Sequence, residues 1–173
     1  MKINMGCGTD IKKGYLNVDI AKLEGVDKLV NLNKYPLPFK ENSVDEIYLN
    51  HVLAHLDDPT TFLGEVNRIL KKGGKIIILV PHFTSATAYW GGVRKHQFSW
   101  ATFQRYTKTN KRGYYFNFSF SRILVDFQFQ KKPFLVFWRG GLLRLIANKW
   151  PYLYEMTSLQ RFPCRQMQIT MIK

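Results

Sequence analysis

The sequence is short of the residues that mark several common classes of protein. It has only two cysteines in 173 residues, Cys7 and Cys164, and neither lies in a metal-binding spacing. We therefore expect reduced thiols in a cytoplasmic protein and no metal site. No uninterrupted apolar run reaches the roughly 18 residues that a transmembrane helix needs. The N-terminus reaches glycine and aspartate before an apolar segment could form, so no signal peptide is expected.

Acidic residues are scarce in the second half of the chain. Residues 1–80 hold 11 Lys and Arg against 10 Asp and Glu, whereas residues 81–173 hold 15 against 2. The net charge of +14 is thus concentrated in the second half, which favours an anionic partner, either nucleic acid or a membrane surface. The alternative is a solvated basic surface without a partner, because no long run of like charges occurs.

Short apolar runs separated by turn signals predict an α/β fold. The run "GKIIILVP" is nearly continuous and β-branched, which is typical of a central parallel strand buried on both faces. The predicted strands cover residues 2–5, 15–20, 27–32, 44–50, 74–81 and 165–173. The aromatic stretch 113–130 adds one or two more.

A helix is predicted between the fourth and fifth strands. Asp58 is suited to cap its N-terminus and Pro59 to occupy its first position. Its apolar residues recur at helical spacing: Phe62, Val66, Ile69 and Leu70. Its end is expected at a cationic and flexible segment: Lys71, Lys72 and Gly73. A strand, a helix and a strand at this spacing predict a parallel sheet.

The second half is less regular. A long loop over residues 81–99 follows the fifth strand, and Ser99 begins a short predicted helix. A further helix is predicted around residues 142–147. No linker divides the chain, so residues 1–173 are expected to form a single domain, with a cofactor-binding half over 1–80 and a basic substrate and lid half over 81–173.

A glycine turn follows the first strand. Gly6 and Gly8 would let a ligand approach the backbone closely, and Asp19 ends the second strand, where its carboxylate could accept both hydroxyl protons of a ribose. A dinucleotide fingerprint would need a third glycine where the chain has Ile11, and the Gly-Lys-Ser/Thr of a phosphate loop is absent. The turn therefore favours neither a dinucleotide nor a nucleoside triphosphate. A turn or capping role for Asp19 is the alternative.

Three stretches resemble the class I S-adenosylmethionine-dependent methyltransferases, and most closely their small type 11 group. These are "INMGCGTDIKKGYLNVDI", "VNLNKYPLPFKENSVDEIYLNHVLAHLDDP" and "FLGEVNRILKKGGKIIILVPH". The resemblance implies a Rossmann-like, doubly wound, mostly parallel seven-stranded sheet with helices on both faces, whose last hairpin reverses one strand. The segment before the second strand is short, so we expect a shortened first helix.

The resemblance also implies a methyltransferase that uses S-adenosylmethionine, and it implies which residues bind this cofactor. The implied contacts are Gly6, Cys7 and Gly8 with the methionine part, Asp19 with the ribose, Asn31 and Leu32 with the adenine, and Asn50 and His51 with the methionine part. The chain departs from the family at Ala54, where a glutamate is usual, and at Asn31, where an aspartate is common.

Two histidines are candidate catalytic residues. Methyl transfer needs positioning and, for a protonated nucleophile, a base within hydrogen-bond reach. His51 could line the methyl-transfer site, and His96, which matches a family histidine, lies in the basic loop expected to cover the substrate. His82 is interpreted as a strand-end residue. His51 and His55 have a metal-like spacing without an evident third ligand.

The methyl acceptor stays open at this point. We expect a small-molecule or a lipid- or saccharide-linked acceptor, with RNA as an alternative because of the basic second half. A non-catalytic protein that binds a membrane or nucleic acid is a further alternative, since "KKPFLVFWRGGLLRLIANKWPYLY" mixes basic, aromatic and aliphatic residues as interfacial helices do. A core-packing helix with basic ends is the favoured interpretation of that stretch. The aromatics of the long loop are expected to pack more than to stack on a ligand.

Overall fold

The computed structural model describes residues 1–90, 92, 94–111, 113–129 and 137–173. These residues form one seven-stranded sheet in the order β3-β2-β1-β4-β5-β7-β6. The strands are β1 (Lys2–Met5), β2 (Leu16–Asp19), β3 (Lys28–Leu29), β4 (Val44–Asn50), β5 (Leu70–Pro81), β6 (Arg122–Gln128) and β7 (Gln166–Ile172). The expected seven-stranded α/β fold is confirmed.

The sheet is parallel except at its last strand. β1 pairs in parallel with β2 and β4, and β4 pairs in parallel with β5. β7 runs antiparallel to both β5 and β6, between which it lies. This is the reversed strand that the resemblance implied. Because β1, β2 and β4 are neighbours and run the same way, their carboxyl ends meet at one edge of the sheet.

The crossover from β1 to β2 contains no helix. Residues 6–15 are turns and bends, where a shortened helix was expected. Hydrogen bonds from a side chain hold this segment instead. The Asn17 side chain accepts a hydrogen bond from the backbone N–H of Lys12 at 2.8 Å and donates to the carbonyl oxygens of Lys12 and Tyr15. A buried asparagine thereby satisfies backbone groups that a helix would otherwise pair internally.

The helix between β4 and β5 has the predicted start. It is α1 (Pro59–Ile69), and the Asp58 side chain accepts hydrogen bonds from the backbone N–H groups of Thr60 and Thr61 at 2.9 and 3.1 Å. Its inward face is apolar and buried: Phe62, Leu63, Val66 and Ile69. Burying four such side chains stabilises the helix on the sheet by roughly 1.5–3 kcal/mol each.

The predicted helix end is wrong. α1 ends at Ile69, and the segment Lys71 to Gly73 already belongs to β5. Leu70 has an extended backbone and pairs with Val44, after which the β4–β5 register shifts. Burial of Leu70 against the sheet outweighs the continuation of the helix, and a positive φ of 78° at Gly73 accommodates the irregular pairing.

The third strand is shorter than predicted. Only Lys28–Leu29 pairs with β2, although residues 27–32 have a strand-like sequence. The Asn31 side chain accepts a hydrogen bond from the backbone N–H of Asn33 at 2.9 Å. This turn, made by a side chain on its own backbone, takes the chain away from the sheet after Val30.

Within the described residues, the second half adds three helices. They are α2 (Trp100–Gln104), α3 (Phe137–Lys149) and α4 (Pro151–Met156), and short 3₁₀ turns lie at Leu53–His55, Ala86–Ala88, Gly113–Tyr115 and Ser158–Arg161. Ser99 caps α2 as predicted, in a reciprocal pair with Thr102. The aromatic stretch contributes one strand, β6, while its residue 130 lies outside the described residues.

A buried polar cluster joins the end of β5 to α4. The His82 ring is fully buried; its Nε2 lies 3.1 Å from Glu155 Oε1 and its Nδ1 lies 2.8 Å from Thr84 Oγ1. The same Glu155 oxygen accepts a hydrogen bond from the Trp100 backbone N–H at 2.6 Å. His82 therefore ends its strand, as interpreted, but it also connects β5, α2 and α4.

Candidate functional site

Most of the predicted site residues come together at the carboxyl edge of the sheet. Gly6 follows β1 directly, Asp19 is the last residue of β2, and Asn50 is the last residue of β4. Asp19 ends the strand beside β1, and Asn50 ends the strand on its other side. Ligands of open parallel sheets bind at such an edge.

The first glycine is fixed against the end of β4. Gly6 has a φ of +65°, and a Cβ there would lie 2.5 Å from the Val52 side chain. The backbone N–H groups of Gly6 and Cys7 both donate to the Val18 carbonyl oxygen, at 2.8 and 3.1 Å. The absence of a side chain at Gly6 is therefore required by the packing of the turn on Val52.

The second glycine leaves space for a ligand. Gly8 has a φ of +50°, and a Cβ there would meet no atom within 4 Å. Its backbone N–H donates a hydrogen bond of 2.8 Å to Asp19 Oδ2, while Asp19 Oδ1 accepts one of 2.9 Å from the Ala21 N–H. A carboxylate has about four acceptor sites, so about two remain for other donors. Half-buried Asp19 is thus directed at the turn and keeps capacity for two hydroxyl groups.

The cysteine between the two glycines points into the protein. The Cys7 thiol is buried, and its pKa is raised mainly by burial and then by the negative charge of Asp19. A neutral buried thiol is a poor nucleophile. Any contact of Cys7 with a ligand is therefore made by its backbone. Cys164 is also free and buried, and burial raises its pKa to about 12.

The glycine turn is also fixed to the end of β4 by Asp10, which sequence reasoning missed. Asn50 Nδ2 donates a hydrogen bond of 3.0 Å to Asp10 Oδ2. The Asp10 backbone carbonyl accepts a hydrogen bond of 2.6 Å from Asn4 Nδ2, and Asn4 is buried. The predicted ligand residue Asn50 therefore holds the turn in place, and its side-chain amide nitrogen is engaged.

The predicted adenine contacts follow β3. The Val30 backbone N–H donates a hydrogen bond of 2.8 Å to the Asp19 carbonyl oxygen, so the chain that leads to Asn31 lies beside the end of β2. Leu32 is buried in the core, and Asn31 is half buried. Contact of these two residues with an adenine stays a prediction.

His51 follows β4 in an unusual backbone conformation. Its φ is +59°, which is rare for a residue with a side chain, and its N–H donates to the Leu79 carbonyl oxygen at 2.9 Å. Its Nδ1 is shielded from solvent and makes no hydrogen bond of good geometry within the described residues, although the Gln166 side chain lies near the ring. Strained backbone held by its surroundings is common at functional sites.

The charge environment of His51 favours its neutral form. Burial lowers the pKa of His51 most, and the positive charge of Arg94 lowers it further. Arg165 and His55 add smaller effects in the same direction, while Gln166 opposes them. The imidazole is therefore uncharged at neutral pH and can accept a proton.

His96 lies in the loop after β5 and contacts the segment that follows His51. Its Nε2 lies 3.0 Å from the Leu56 carbonyl oxygen, so this nitrogen carries the proton when it donates there. The neighbouring Lys95 N–H donates to the Ala54 carbonyl oxygen at 2.8 Å, and its side chain pairs with Asp57. The loop is thereby attached to residues 54–57. The catalytic role of His96 stays a prediction, and only its Nδ1 is left for a substrate.

Several residues of the site have no signal in the sequence. Val52 supports Gly6, and Arg94, Arg165 and Gln166 surround His51, yet they come from a loop and from the last strand. Pro81 pairs with Gln166 in the antiparallel β5–β7 pair, and this pairing brings distant residues to the end of β4. Only the reversed last strand, expected from the resemblance, could have indicated this placement.

Two surface depressions lie away from this edge. Their volumes are about 330 and 410 Å³, and they are lined by residues of the segment 100–119. Both are open to solvent, and one is lined by Lys108, the other by Arg105 and Lys111. The site described above is built by strand ends and not by these depressions. Within the described residues, no group of three His, Cys, Asp or Glu side chains is arranged as a metal site.

Comparison with protein families identifies the first half of the chain. Residues 4–78 match the model of a methyltransferase domain. An uncharacterized protein of Methanocaldococcus jannaschii, MJ1123, is 37% identical over 75 residues, which are 43% of this chain and 35% of that protein. The demethylmenaquinone methyltransferase of Oceanobacillus iheyensis is 32% identical over 76 residues, 42% of this chain and 32% of that protein. The matched region thus spans about a third of these relatives.

Comparison with solved structures extends the similarity to the whole fold. A SAM-dependent methyltransferase from Archaeoglobus fulgidus aligns with a TM-score of 0.62 over 99% of this chain and 85% of that one. The two sequences are 17% identical, so this likeness shows the fold alone. The likeness confirms the fold that the resemblance implied, and the family model adds a match to a methyltransferase domain over residues 4–78.

Proposed function

We propose that this chain, whose residues 4–78 match the model of a methyltransferase domain, transfers a methyl group from S-adenosylmethionine to a small-molecule or a lipid- or saccharide-linked acceptor. The observation that carries the proposal is the contact between Gly8 and Asp19. It joins an open stretch of backbone to a carboxylate with unused acceptor sites, at the edge where such sheets bind ligands.

The residues at this edge fit the cofactor. The backbone of Gly6, Cys7 and Gly8 would hold its methionine part, with Asn50 and His51 beside it. Space at Gly8 permits a close approach, because no side chain stands there. Asp19 would accept hydrogen bonds from the two ribose hydroxyls. Asn31 and Leu32, which follow the β3 segment tied to the Asp19 carbonyl, would lie next to the adenine.

His51 is the proposed base. S-adenosylmethionine, when bound, supplies a methyl group that is already activated by a positively charged sulfur. The chain must then orient the acceptor, exclude water and take up any proton that the nucleophile loses. A neutral imidazole whose shielded Nδ1 makes no hydrogen bond of good geometry within the described residues is suited to that last task. His96 is the second candidate base. Its Nε2 contacts the Leu56 carbonyl oxygen, so its Nδ1 would be the atom that accepts the proton.

The surroundings of His51 favour an acceptor with an anionic or electron-rich part. Arg94 and Arg165 both lie close enough to His51 to lower its pKa, and guanidinium groups bind carboxylates and phosphates well. The relatives from Oceanobacillus iheyensis and Staphylococcus aureus are named for demethylmenaquinone, a small molecule. The matched domain ends at residue 78, so Arg94 and Arg165 lie outside it.

Two alternatives follow from the same scaffold. The excess of 15 Lys and Arg over 2 Asp and Glu in residues 81–173 supports RNA as an acceptor, because phosphates attract such a surface. It equally supports a protein that binds nucleic acid or a membrane without catalysing methyl transfer. The experiment below separates these alternatives from the main proposal.

A transfer assay with tritiated methyl groups tests the proposal. The protein is incubated with labelled S-adenosylmethionine and, separately, with the small-molecule, lipid and RNA fractions of a bacterial extract. We expect label in the small-molecule or lipid fraction with the wild-type protein and none with Asp19→Ala. Label in RNA would establish the first alternative. Label in no fraction, with intact binding of S-adenosylhomocysteine, would establish the non-catalytic one.

A further inference from the structure

The two helices near the C-terminus expose an unusual number of large apolar side chains. Leu145 of α3 is 70% exposed, Tyr152 of α4 is 65% exposed, and Trp150 between the helices is 51% exposed. We define the α3–α4 face as these residues and their exposed apolar neighbours: Leu142, Leu145, Trp150, Tyr152, Leu153, Met156 and Phe162. All seven lie within 21 consecutive residues, whereas isolated exposed apolar residues are normal.

The same helices have a separate inner side that is packed. Leu143 and Ala147 of α3 and Tyr154 of α4 are buried, and the Tyr154 hydroxyl donates to the Phe162 carbonyl oxygen at 2.8 Å. The fold therefore uses one side of the helices for its core. The sequence favoured a core-packing role for the whole stretch, and the structure assigns that role to only part of it. Residues 131–136 of the stretch lie outside the described residues.

The charges around the α3–α4 face are of one sign. From residue 141 to residue 165 the only acidic residue is Glu155, and it is buried against His82. The charged side chains exposed in this segment are therefore all cations: Arg144, Lys149, Arg161 and Arg165. Arg144 is paired with Asp126 of β6 at 3.2 Å. Within the described residues, the other three cations form no ion pair with an acidic residue.

Lys149 and Trp150 place a cation directly beside an exposed aromatic side chain. Lys149 Nζ lies 4.7 Å from the centre of the Trp150 ring, a distance at which the cation is attracted to the ring face. Such a pair suits the boundary between water and hydrocarbon, because the indole can enter the apolar layer while the ammonium group stays hydrated. Within the described residues, every helix is too short or too polar to cross a bilayer.

We propose that the α3–α4 face docks the protein onto a membrane surface that carries anionic lipids. Aliphatic side chains such as Leu142, Leu145 and Met156 gain free energy in hydrocarbon, while the surrounding cations are attracted to lipid phosphates. A second copy of the chain would bring the same cations together and is disfavoured by their repulsion. Nucleic acid offers stacking to aromatic rings but little to leucine and methionine.

Buried hydrogen bonds connect α4, which carries part of the α3–α4 face, to the loop and strand beside the candidate site. Glu155 lies on the buried side of α4 and accepts a hydrogen bond from the Trp100 N–H, directly after the loop that carries His96. The His82 ring contacts the same carboxylate. His82 directly follows β5, and His51 directly follows the neighbouring strand β4. The docking itself does not depend on methyl transfer.

Vesicle co-sedimentation tests the proposal. The full chain is mixed with vesicles of phosphatidylcholine alone or of equimolar phosphatidylcholine and phosphatidylglycerol. We expect binding to the anionic vesicles that weakens with added salt, and much weaker binding to phosphatidylcholine. The double variant Leu142→Glu/Leu145→Glu should bind the anionic vesicles roughly tenfold or more weakly, because charged groups resist entry into hydrocarbon.

Matched controls separate docking from folding and from net charge. Leu29→Glu changes a leucine that is 55% exposed on β3, and it should bind as the wild type does. Lys149→Gln/Arg161→Gln should weaken binding to anionic vesicles, whereas Lys22→Gln/Lys40→Gln, with the same change of charge in the first half, should not. Circular dichroism shows that each variant is folded.

Three results would overturn the proposal. The first is equal binding to both kinds of vesicle, or none to either. The second is a Leu142→Glu/Leu145→Glu variant that is folded and binds like the wild type. The third is a wild-type dimer, measured by sedimentation velocity, that this variant converts to a monomer, since the face would then be an interface between two copies.

Discussion

The backbone N–H of Gly8 donates a hydrogen bond of 2.8 Å to the Oδ2 atom of Asp19. The contact joins the turn after the first strand to the last residue of the second. It places a carboxylate beside a stretch of backbone that has no side chain to exclude a ligand. The two glycines of this turn serve different purposes, and this difference can be measured.

Alanine at Gly6 should reduce stability, and alanine at Gly8 should reduce binding. A Cβ at Gly6 would lie 2.5 Å from the Val52 side chain, and φ is +65°, so we expect Gly6→Ala to lower the free energy of unfolding by about 2–4 kcal/mol. A Cβ at Gly8 meets no atom, so Gly8→Ala should cost only about 1 kcal/mol but weaken cofactor binding. Urea denaturation and calorimetric titration measure the two effects.

The variant Gly6→Ala/Val52→Ala is the control for this assignment. Removing the Val52 methyl groups relieves the contact but not the positive φ, so part of the stability lost in Gly6→Ala should return. The opposite pattern, with a stable Gly6→Ala and an unstable Gly8→Ala, would contradict the described packing of the turn.

The rate of methyl transfer should fall as the pH is lowered through the pKa of His51. A base works only when deprotonated, and burial and Arg94 place the pKa of His51 below its usual value of 6.5. Activity should therefore be complete at pH 7 and decline only in more acidic solution. His51→Asn should lower kcat roughly 100-fold or more and abolish this acidic limb. Asparagine tolerates the positive φ at this position, so the fold should survive.

Removing a cation near His51 should shift the acidic inflection of the pH–rate profile to higher pH. Arg94→Gln takes away a positive charge that opposes protonation of His51, so the inflection should shift to higher pH. Arg122→Gln removes an exposed cation from β6 that is not among the causes of the His51 shift, and its profile should match that of the wild type. An unshifted profile in Arg94→Gln would argue against His51 as the base and in favour of His96.

The buried carboxylate of Glu155 should be important for stability. Glu155→Ala would leave the His82 Nε2 and the Trp100 N–H without their buried acceptor. We expect a loss of about 2–4 kcal/mol in the free energy of unfolding, measured by urea denaturation. Glu155→Gln keeps an acceptor oxygen and should recover part of the loss, whereas Glu24→Ala, at an exposed position, should change it by less than about 0.5 kcal/mol. A loss in Glu155→Ala no larger than in Glu24→Ala would contradict the described cluster.

Much of the fold could be predicted from local patterns. The apolar spacing of Phe62 and Val66, with Asp58 and Pro59 before them, identifies α1 and its start, because cap and face are both local properties. The end of α1 could not be predicted, since Leu70 leaves the helix to pair with the distant Val44. The length of the third strand was overestimated for a similar reason, because the Asn31 side chain forms a turn before further strand pairing can form.

The candidate site was predicted in part. The placement of Gly6, Gly8 and Asp19 follows from one rule, the meeting of parallel strand ends, and the structure bears it out. Arg165 and Gln166 reach His51 only because β7 reverses direction beside β5. The exposed side of α3 and α4 could not be predicted either, because a mixed apolar and basic sequence does not reveal which side chains the sheet will cover.

Isothermal titration calorimetry with S-adenosylhomocysteine tests the central claim most directly, since the demethylated product occupies the same site and does not react. The wild-type protein should bind it at one saturable site. Asp19→Asn, which keeps the shape but loses the charge, should bind it roughly tenfold or more weakly, while Glu24→Gln should be unaffected. A wild-type protein that gives no saturable heat at millimolar ligand, or a folded Asp19→Asn that binds with unchanged affinity, would contradict a cofactor site at Gly8 and Asp19.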